Sequence, residues 1–214
     1  PASALALNIE SNQVRERGNT SSVLQGSTSR NRVNVPVSGF QYAVSFNGGA
    51  YTNIGTAGTL AAAGGSFTNF TDTSITSSAT SATYRVSVTD SYTTATSSYN
   101  ITYKYVVFYG SSASAPSNSA GVRALSNKRF TDSGNTFILN TGATDKIFTV
   151  AVPATMSLVE VLDLDALNAN ITANYVLSTF NVNDGGGTPV AYKIYTLSNA
   201  IPYSADHRHQ ITIA

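Results

Sequence analysis

The two histidines of the chain lie close to its end, in the run His207-Arg208-His209. The pattern around them favours a strand, and residues two apart on a strand face the same side. Both imidazoles could therefore bind one metal ion. Two histidines cannot close a metal site alone, so the remaining ligands would have to come from elsewhere. The alternative is an exposed polar strand beside a turn at residues 202–206.

A hydrolase is a second chemistry that these residues suggest. Asp206 directly precedes His207, and serine is abundant, so acid, base and nucleophile are all present in the chain. Proximity in sequence says little about the geometry of a triad, and the chain has no Gly-x-Ser-x-Gly nucleophile elbow. We therefore predict that the protein is not an enzyme.

Three carboxylates, Glu160, Asp163 and Asp165, form a small acidic cluster that could bind calcium. An EF-hand loop starting at Asp163 requires glycine at its sixth position and glutamate at its twelfth. This chain has Asn168 and Asn174 there. The cluster therefore favours ordinary carboxylates at a strand end and in the loop that follows.

Tyrosine is frequent, with 12 residues. Most tyrosines fall in strands of period 2, where core packing is the better interpretation. Tyr51, Tyr92 and Tyr203 lie near predicted turns instead. We expect these three to be exposed, where they could contact a receptor or a glycan.

Strands must position these residues, and the clearest strand pattern in the chain is Tyr99 to Gly110. One face of this stretch is apolar throughout, and the other becomes apolar halfway along. Tyr105 and Val107 are predicted core residues, and Lys104 is predicted to be exposed. The Ser/Ala/Pro/Asn stretch that follows resembles a linker. We therefore expect Tyr99 to Gly110 to be the last strand of one domain.

Alternating strands separated by turn signals run along the rest of the chain and predict an all-β fold. We expect two consecutive β-sandwich domains, the first immunoglobulin-like and the second an antiparallel sandwich. The predicted divisions are an N-terminal segment with a possible edge strand (1–31), the immunoglobulin-like domain (32–110), a linker (111–120) and the C-terminal sandwich (121–214).

Composition excludes several functional classes. Charged residues make up 11% of the chain, against roughly 25% in typical globular proteins, and the formal net charge is +1. A nucleic-acid binder would normally carry a basic excess, so no nucleic-acid partner is expected. No apolar run approaches the ~18 residues of a membrane span, and the first residues lack the pattern of a signal peptide.

Four blocks give the sequence a family resemblance. They are Asp72-Thr73-Ser74-Ile75 followed by Thr83 to Asp90, Tyr105-Val106-Val107-Phe108-Tyr109-Gly110, Phe148-Thr149-Val150-Ala151-Val152-Pro153, and Tyr192-Lys193-Ile194-Tyr195 ahead of Gln210-Ile211-Thr212-Ile213. In their order and spacing they resemble the C-terminal modules of bacteriophage tail-fibre and baseplate structural proteins. The resemblance covers roughly residues 13 to 214.

This resemblance implies a non-enzymatic structural component of a phage virion, an extracellular particle, with an assembly or host-receptor role. The implied partners are other virion proteins, further copies of the chain in a homo-oligomer (a trimer is favoured), and a host cell-surface receptor. No cofactor is expected, apart from a metal ion that His207 and His209 of three chains could hold at a subunit axis with six nitrogens. The alternative is a carbohydrate-binding or adhesin module on a bacterial surface.

Overall fold

The computed structural model describes residues 6–9, 11–19, 22–24, 26–29, 37–60, 64–66, 70–76, 78–90, 94–142, 147–198 and 206–214. The protein is nearly all β and is built from antiparallel sheets, which confirms the predicted all-β, sandwich-type fold class. The chain divides into two units, Pro1–Tyr103 and Lys104–Ala214. None of the helices that the structure describes is long and apolar enough to cross a membrane.

The described residues of the first unit form ten strands. They are β1 (Ala6–Ile9), β2 (Gln13–Glu16), β3 (Ser22–Leu24), β4 (Gly26–Ser29), β5 (Val37–Phe46), β6 (Thr52–Leu60), β7 (Gly64–Ser66), β8 (Phe70–Asp72), β9 (Ser81–Asp90) and β10 (Thr94–Lys104). The largest sheet has the order β2-β10-β9-β5-β6. A three-stranded sheet, β1-β4-β7, and a pair, β3-β8, complete the described strands of this unit.

One face of the five-stranded sheet carries the core of the first unit. Alternate residues of β5, β9 and β10 are buried there together with two residues from the preceding loop: Phe40, Tyr42, Val44, Ile75, Ala79, Ala82, Tyr84, Val86, Val88, Tyr99, Ile101 and Tyr103. The turn from β5 to β6 is an Asn-Gly hairpin turn, in which Asn47 and Gly48 have the positive φ that such turns need, 53° and 76°.

In the second unit, the part of the chain that the structure describes forms nine strands, a short helix and a 3₁₀ turn. They are β11 (Val106–Ser112), α1 (Ser119–Arg123), β12 (Asn127–Phe130), β13 (Thr136–Thr141), β14 (Ile147–Pro153), β15 (Leu158–Asp163), β16 (Ala169–Asn170), the 3₁₀ helix Thr172–Asn174, β17 (Val176–Asn183), β18 (Pro189–Ser198) and β19 (His207–Ile213). Two sheets result, β12-β11-β14-β18-β17 and β13-β19-β15-β16.

These two sheets share one core, which makes the second unit a β-sandwich. Buried residues from both sheets form a single cluster: Val107, Phe137, Leu139, Phe148, Val150, Val152, Val161, Tyr175, Leu197, Ile211 and Ile213. On the other face of the five-stranded sheet, Val106 and Phe108 pack with Val122 of α1. Strand β11 is therefore buried on both faces, as its doubly apolar sequence predicts.

The break between the units differs from the prediction of one strand from Tyr99 to Gly110 followed by a linker at 111–120. Strand β10 ends at Lys104, and β11 begins at Val106. Their hydrogen-bonding partners differ, because β10 pairs with β9 whereas β11 pairs with β12 and β14. Residues 106–112 therefore belong to the sheet of the second unit. Tyr105, predicted to be a core residue, is only half-buried between the two strands.

Candidate functional site

Three polar side chains from two neighbouring strands meet inside the second unit. Strand β19 runs antiparallel between β13 and β15, and Asp163 at the end of β15 pairs directly with His209. Residues directly opposite on paired strands have side chains on the same face, and residues two apart on one strand do too. Asp163, His207 and His209 therefore point the same way, towards the sandwich interior.

The carboxylate of Asp163 lies between the two imidazoles. Nδ1 of His207 is 3.0 Å from Oδ1 and 2.9 Å from Oδ2 of Asp163. Nε2 of His209 is 3.9 Å from Oδ2 of the same carboxylate. One potential ligand atom from each of the three residues lies within 4.8 Å of the others. We refer to Asp163, His207 and His209 as the Asp–His cluster.

The cluster is largely removed from solvent. His209 is fully buried, and Asp163 is only 3% exposed. The ring of Phe148 meets the His209 imidazole edge to face, with 5.5 Å between centroids. Burial lowers the pKa of His209, with a smaller contribution from His207, while Asp163 and Asp165 oppose the shift. His209 is therefore neutral at neutral pH, and its contact with Asp163 is not an ion pair.

Neighbouring groups hold each member of the Asp–His cluster. The hydroxyl of Tyr175 lies 3.2 Å from Nδ1 of His209. The backbone N–H of Asp165 donates to Oδ1 of Asp163 across the turn, at 3.1 Å. The hydroxyl of Thr141 accepts from the N–H of His207 and donates to its carbonyl, both at 3.0 Å. Both ends of the cluster are thus fixed by hydrogen bonds to residues outside it.

An ion pair ties the end of β15 to β19. The guanidinium and backbone N–H of Arg208 donate to the carboxylate of Asp165 at distances of 2.7 to 3.1 Å. The pKa of Asp165 falls to about 2, chiefly because of these hydrogen bonds from Arg208. The backbone N–H of Leu164 also donates to the carbonyl of Arg208. These contacts keep Asp163 in register with the two histidines.

The structure places the sequence-predicted residues as follows. His207 and His209 do face one side, but His209 is buried within its own chain and does not lie on the exposed strand that was the alternative. The hydrolase hypothesis paired His207 with its neighbour Asp206. In the structure Asp206 is exposed, and the carboxylate that bonds Nδ1 of His207 is that of Asp163. The acidic cluster divides among different partners, because Glu160 bonds Asn170 and Asp165 bonds Arg208.

Of the three tyrosines predicted to be exposed, only Tyr51 can be placed, because Tyr92 and Tyr203 lie outside the described residues. Tyr51 is 40% exposed beyond the β5–β6 turn. The guanidinium carbon of Arg85 lies 4.0 Å from the centroid of its ring, a cation–π contact that covers one ring face.

Sequence reasoning missed two contributors, Asp163 as a partner of the histidines and Tyr175 as a neighbour of His209. The sequence suggests Asp163 only as a possible calcium ligand, and nothing in it singles out Tyr175. Their proximity to the histidines depends on which strands pair and in which register. Comparisons with protein-family models and with curated proteins found no match to this chain.

Proposed function

We propose that the chain is a non-enzymatic structural component of a phage virion appendage, such as a tail fibre or baseplate, and that it assembles as a homo-oligomer, with a trimer favoured. The resemblance of its four sequence blocks to the C-terminal modules of such proteins supports this proposal. The particle would be extracellular, and the partners would be other virion proteins and a host-cell receptor.

The observation that carries the assembly proposal is the character of strand β17. It is the last strand of its sheet and pairs with β18 on one side; the part of the chain that the structure describes supplies no strand on the other. Its eight residues, Val-Leu-Ser-Thr-Phe-Asn-Val-Asn, carry no charge and no proline. Val176 and Leu177 are 70% and 50% exposed. Side chains of α1 bond the backbone of Asn183 at the end of β17. The rest of the strand is a regular edge of the kind that can pair with another chain.

The opposite edge of the same sheet is protected. Strand β12 carries Lys128 and Arg129 within its four residues. Charged residues on an edge strand are a common means of preventing unwanted pairing. The two edges of this sheet thus differ, and β17 is the one suited to contact a neighbouring subunit.

Light scattering coupled to size-exclusion chromatography, at tens of micromolar, tests the assembly. The wild-type chain should give the mass of a closed oligomer, and Leu177→Lys should shift it to monomer because lysine at the edge opposes pairing. Val159→Lys is the matched control, because Val159 is 54% exposed on β15, away from the β17 edge. A monomeric wild type would contradict the proposal for this chain, and equal dissociation of both variants would contradict the role of β17.

The second candidate function is a carbohydrate-binding or adhesin module, favoured by the exposed ring of Tyr51. Arg85 already covers one face of that ring, so this observation supports glycan stacking less well than β17 supports assembly. A glycan array separates the two. Binding by monomeric protein that is lost in Tyr51→Ala favours the adhesin, whereas a closed oligomer without glycan binding favours the virion component.

A further inference from the structure

The Asp–His cluster has the donor atoms of a metal site. Two imidazoles and one carboxylate form a set that Zn²⁺ and its first-row neighbours accept in proteins, with other positions left to water or further ligands. All three donors belong to one chain. Asp163 lies directly opposite His209 across the β15–β19 pair, and His207 lies two residues before His209 on β19. No second subunit is required to bring them together.

The distances within the cluster are close to those that a bound ion requires. Bonds of about 2.0–2.1 Å in a tetrahedral site place neighbouring ligand atoms roughly 3.4 Å apart. Oδ2 of Asp163 lies 2.9 Å from Nδ1 of His207 and 3.9 Å from Nε2 of His209. These two separations bracket the required value, and the third pair of donor atoms lies within 4.8 Å. Side-chain movements of less than about an ångström per atom would bring all three separations to the tetrahedral value.

The surroundings support the ligand roles. A histidine that binds metal through one ring nitrogen commonly uses the other for a hydrogen bond that fixes the ring and the tautomer. The Tyr175 hydroxyl lies 3.2 Å from Nδ1 of His209, so it can accept the Nδ1 proton when Nε2 binds the ion.

We propose that Asp163, His207 and His209 bind one divalent transition-metal ion of the zinc class within a single chain. The hydrogen bond between Nδ1 of His207 and Asp163 holds the donors together without metal. When metal binds, that proton leaves Nδ1 for Nε2 or for solvent, and the nitrogen lone pair and the carboxylate oxygen bind the ion. The site differs from one shared at a subunit axis, which would need three chains per ion.

Metal uptake by the full chain tests the proposal. Protein freed of metal with a chelator is titrated with Co²⁺, whose visible absorption reports nitrogen and oxygen ligation, and then with Zn²⁺ in competition. We expect one equivalent of Co²⁺ per chain, displacement by one equivalent of Zn²⁺, and a higher Tm with either ion. No stoichiometric uptake by the folded chain would overturn the proposal. One ion per three chains would also overturn it, in favour of an axial site.

Variants locate the ion. Asp163→Asn and His207→Gln should each weaken Co²⁺ binding by more than the roughly 10–100-fold that loss of an outer partner costs, and Tyr175→Phe should fall within that range. Glu160→Gln is the matched control. It removes a carboxylate from the same strand whose partner is Asn170, and its affinity should equal that of the wild type. Equal losses in Glu160→Gln and Asp163→Asn would contradict the site.

The His207→Gln variant is expected to fold, so a loss of metal binding in it can be assigned to the site. The His207 side chain is 19% exposed, so its replacement disturbs the core less than a change at the fully buried His209. The metal-free variant should keep the circular dichroism spectrum of the wild type and still lose the Co²⁺ absorption. A folded His207→Gln protein that retains the absorption unchanged would remove His207 from the ligand set and overturn the proposal.

Discussion

Both units contain an almost fully buried aspartate, Asp72 in the first and Asp163 in the second, at 1% and 3% exposure. The partners of Asp72 are one backbone N–H and two hydroxyl groups, none of them an imidazole or a carboxylate. The Ser74 N–H and hydroxyl donate to Oδ1 at 2.8 and 2.6 Å, and the Tyr84 hydroxyl donates to Oδ2 at 2.7 Å. These hydrogen bonds satisfy both oxygens.

Around Asp163 the principal partners are imidazoles, which can exchange a proton for a metal ion. Burial and the hydrogen bond to Asp72 raise the pKa of Tyr84 above its ordinary value, so its hydroxyl remains a donor. Burial lowers the pKa of His209 and keeps that ring neutral. On this proposal, burial of a carboxylate alone does not make a binding site. The side chains that share its surroundings decide whether it stabilises a fold or offers ligands.

A new buried carboxylate, introduced without partners, should have the largest effect. Val107 is fully buried in the core of the second unit. Val107→Asp should destabilise that unit by on the order of 4 kcal/mol or more, because nothing there compensates the charge. Lys104→Glu is the control. Lys104 is 33% exposed and lies 3.4 Å from Asp132, so its change should cost about 0.5 kcal/mol or less. Equal urea midpoints would show that the register of β11 is wrong.

Removal of the aspartate of the first unit comes next in size. Asp72→Ala leaves the Ser74 N–H, the Ser74 hydroxyl and the Tyr84 hydroxyl without their acceptor. At about 1 kcal/mol for each donor, the first unit should lose roughly 3 kcal/mol. Hydrogen exchange of β9 amides measures the loss, with β14 amides as the internal reference. Unchanged protection of β9 would mean that the Asp72 hydrogen bonds contribute little to the fold.

The two tyrosine hydroxyls sharpen the comparison at smaller energies. Tyr84 donates to a carboxylate, whereas Tyr175 bonds a neutral imidazole. Hydrogen bonds to charged groups are the stronger kind, so Tyr84→Phe should cost about 2 kcal/mol and Tyr175→Phe about 1 kcal/mol in metal-free protein. Urea unfolding of both variants checks the order. A larger loss in Tyr175→Phe would reverse the distinction between the clusters.

Mild acid should affect the second unit through His209 and spare the first, because both histidines lie in the second unit. The folded-state pKa of His209 is below the ordinary 6.5. As pH falls below 6.5, His209 of the unfolded chain binds a proton that the buried His209 of the folded chain does not. The free energy of unfolding therefore falls. Asp165, with a pKa of about 2, titrates in a lower range.

Hydrogen exchange between pH 7 and 5, with chelator present, measures this dependence on β14 and β9 amides after correction for intrinsic rates. The β14 amides should lose protection, and His209→Asn should show a weaker pH dependence than the wild type. Asp163, His207 and Asp165 also face this ring, so the difference between variant and wild type isolates His209. A pH dependence identical in both proteins would assign the effect to another group.

Local patterns in the sequence predicted much of the fold. Alternation in β5 and β9 predicted buried faces that include Tyr42 and Val86, and Asp-Gly-Gly-Gly at 184–187 predicted a hairpin. In the structure the Asp184 carboxylate accepts from the N–H groups of Gly186 and Thr188, which closes that turn. These features depend on neighbours within a few residues, so the chain alone specifies them.

Features that depend on distant pairing could not be predicted. The division at Tyr105 arises because β10 and β11 pair with strands of different sheets, although their apolar pattern runs on without interruption. The Asp–His cluster exists because Asp163 pairs opposite His209, and a register shift of one residue would turn the carboxylate to the other face. Residue spacing showed that the histidines share a face but gave no means of finding their carboxylate.

Anomalous diffraction at the zinc edge, from crystals of chelator-treated protein supplied with one equivalent of Zn²⁺, tests the central claim most directly. We predict one strong peak per chain about 2.0–2.2 Å from Oδ2 of Asp163, Nδ1 of His207 and Nε2 of His209, and no peak near Asp72. A peak on a three-fold axis between chains, or the Asp–His cluster retaining its direct His207–Asp163 hydrogen bond with no anomalous density, would contradict it.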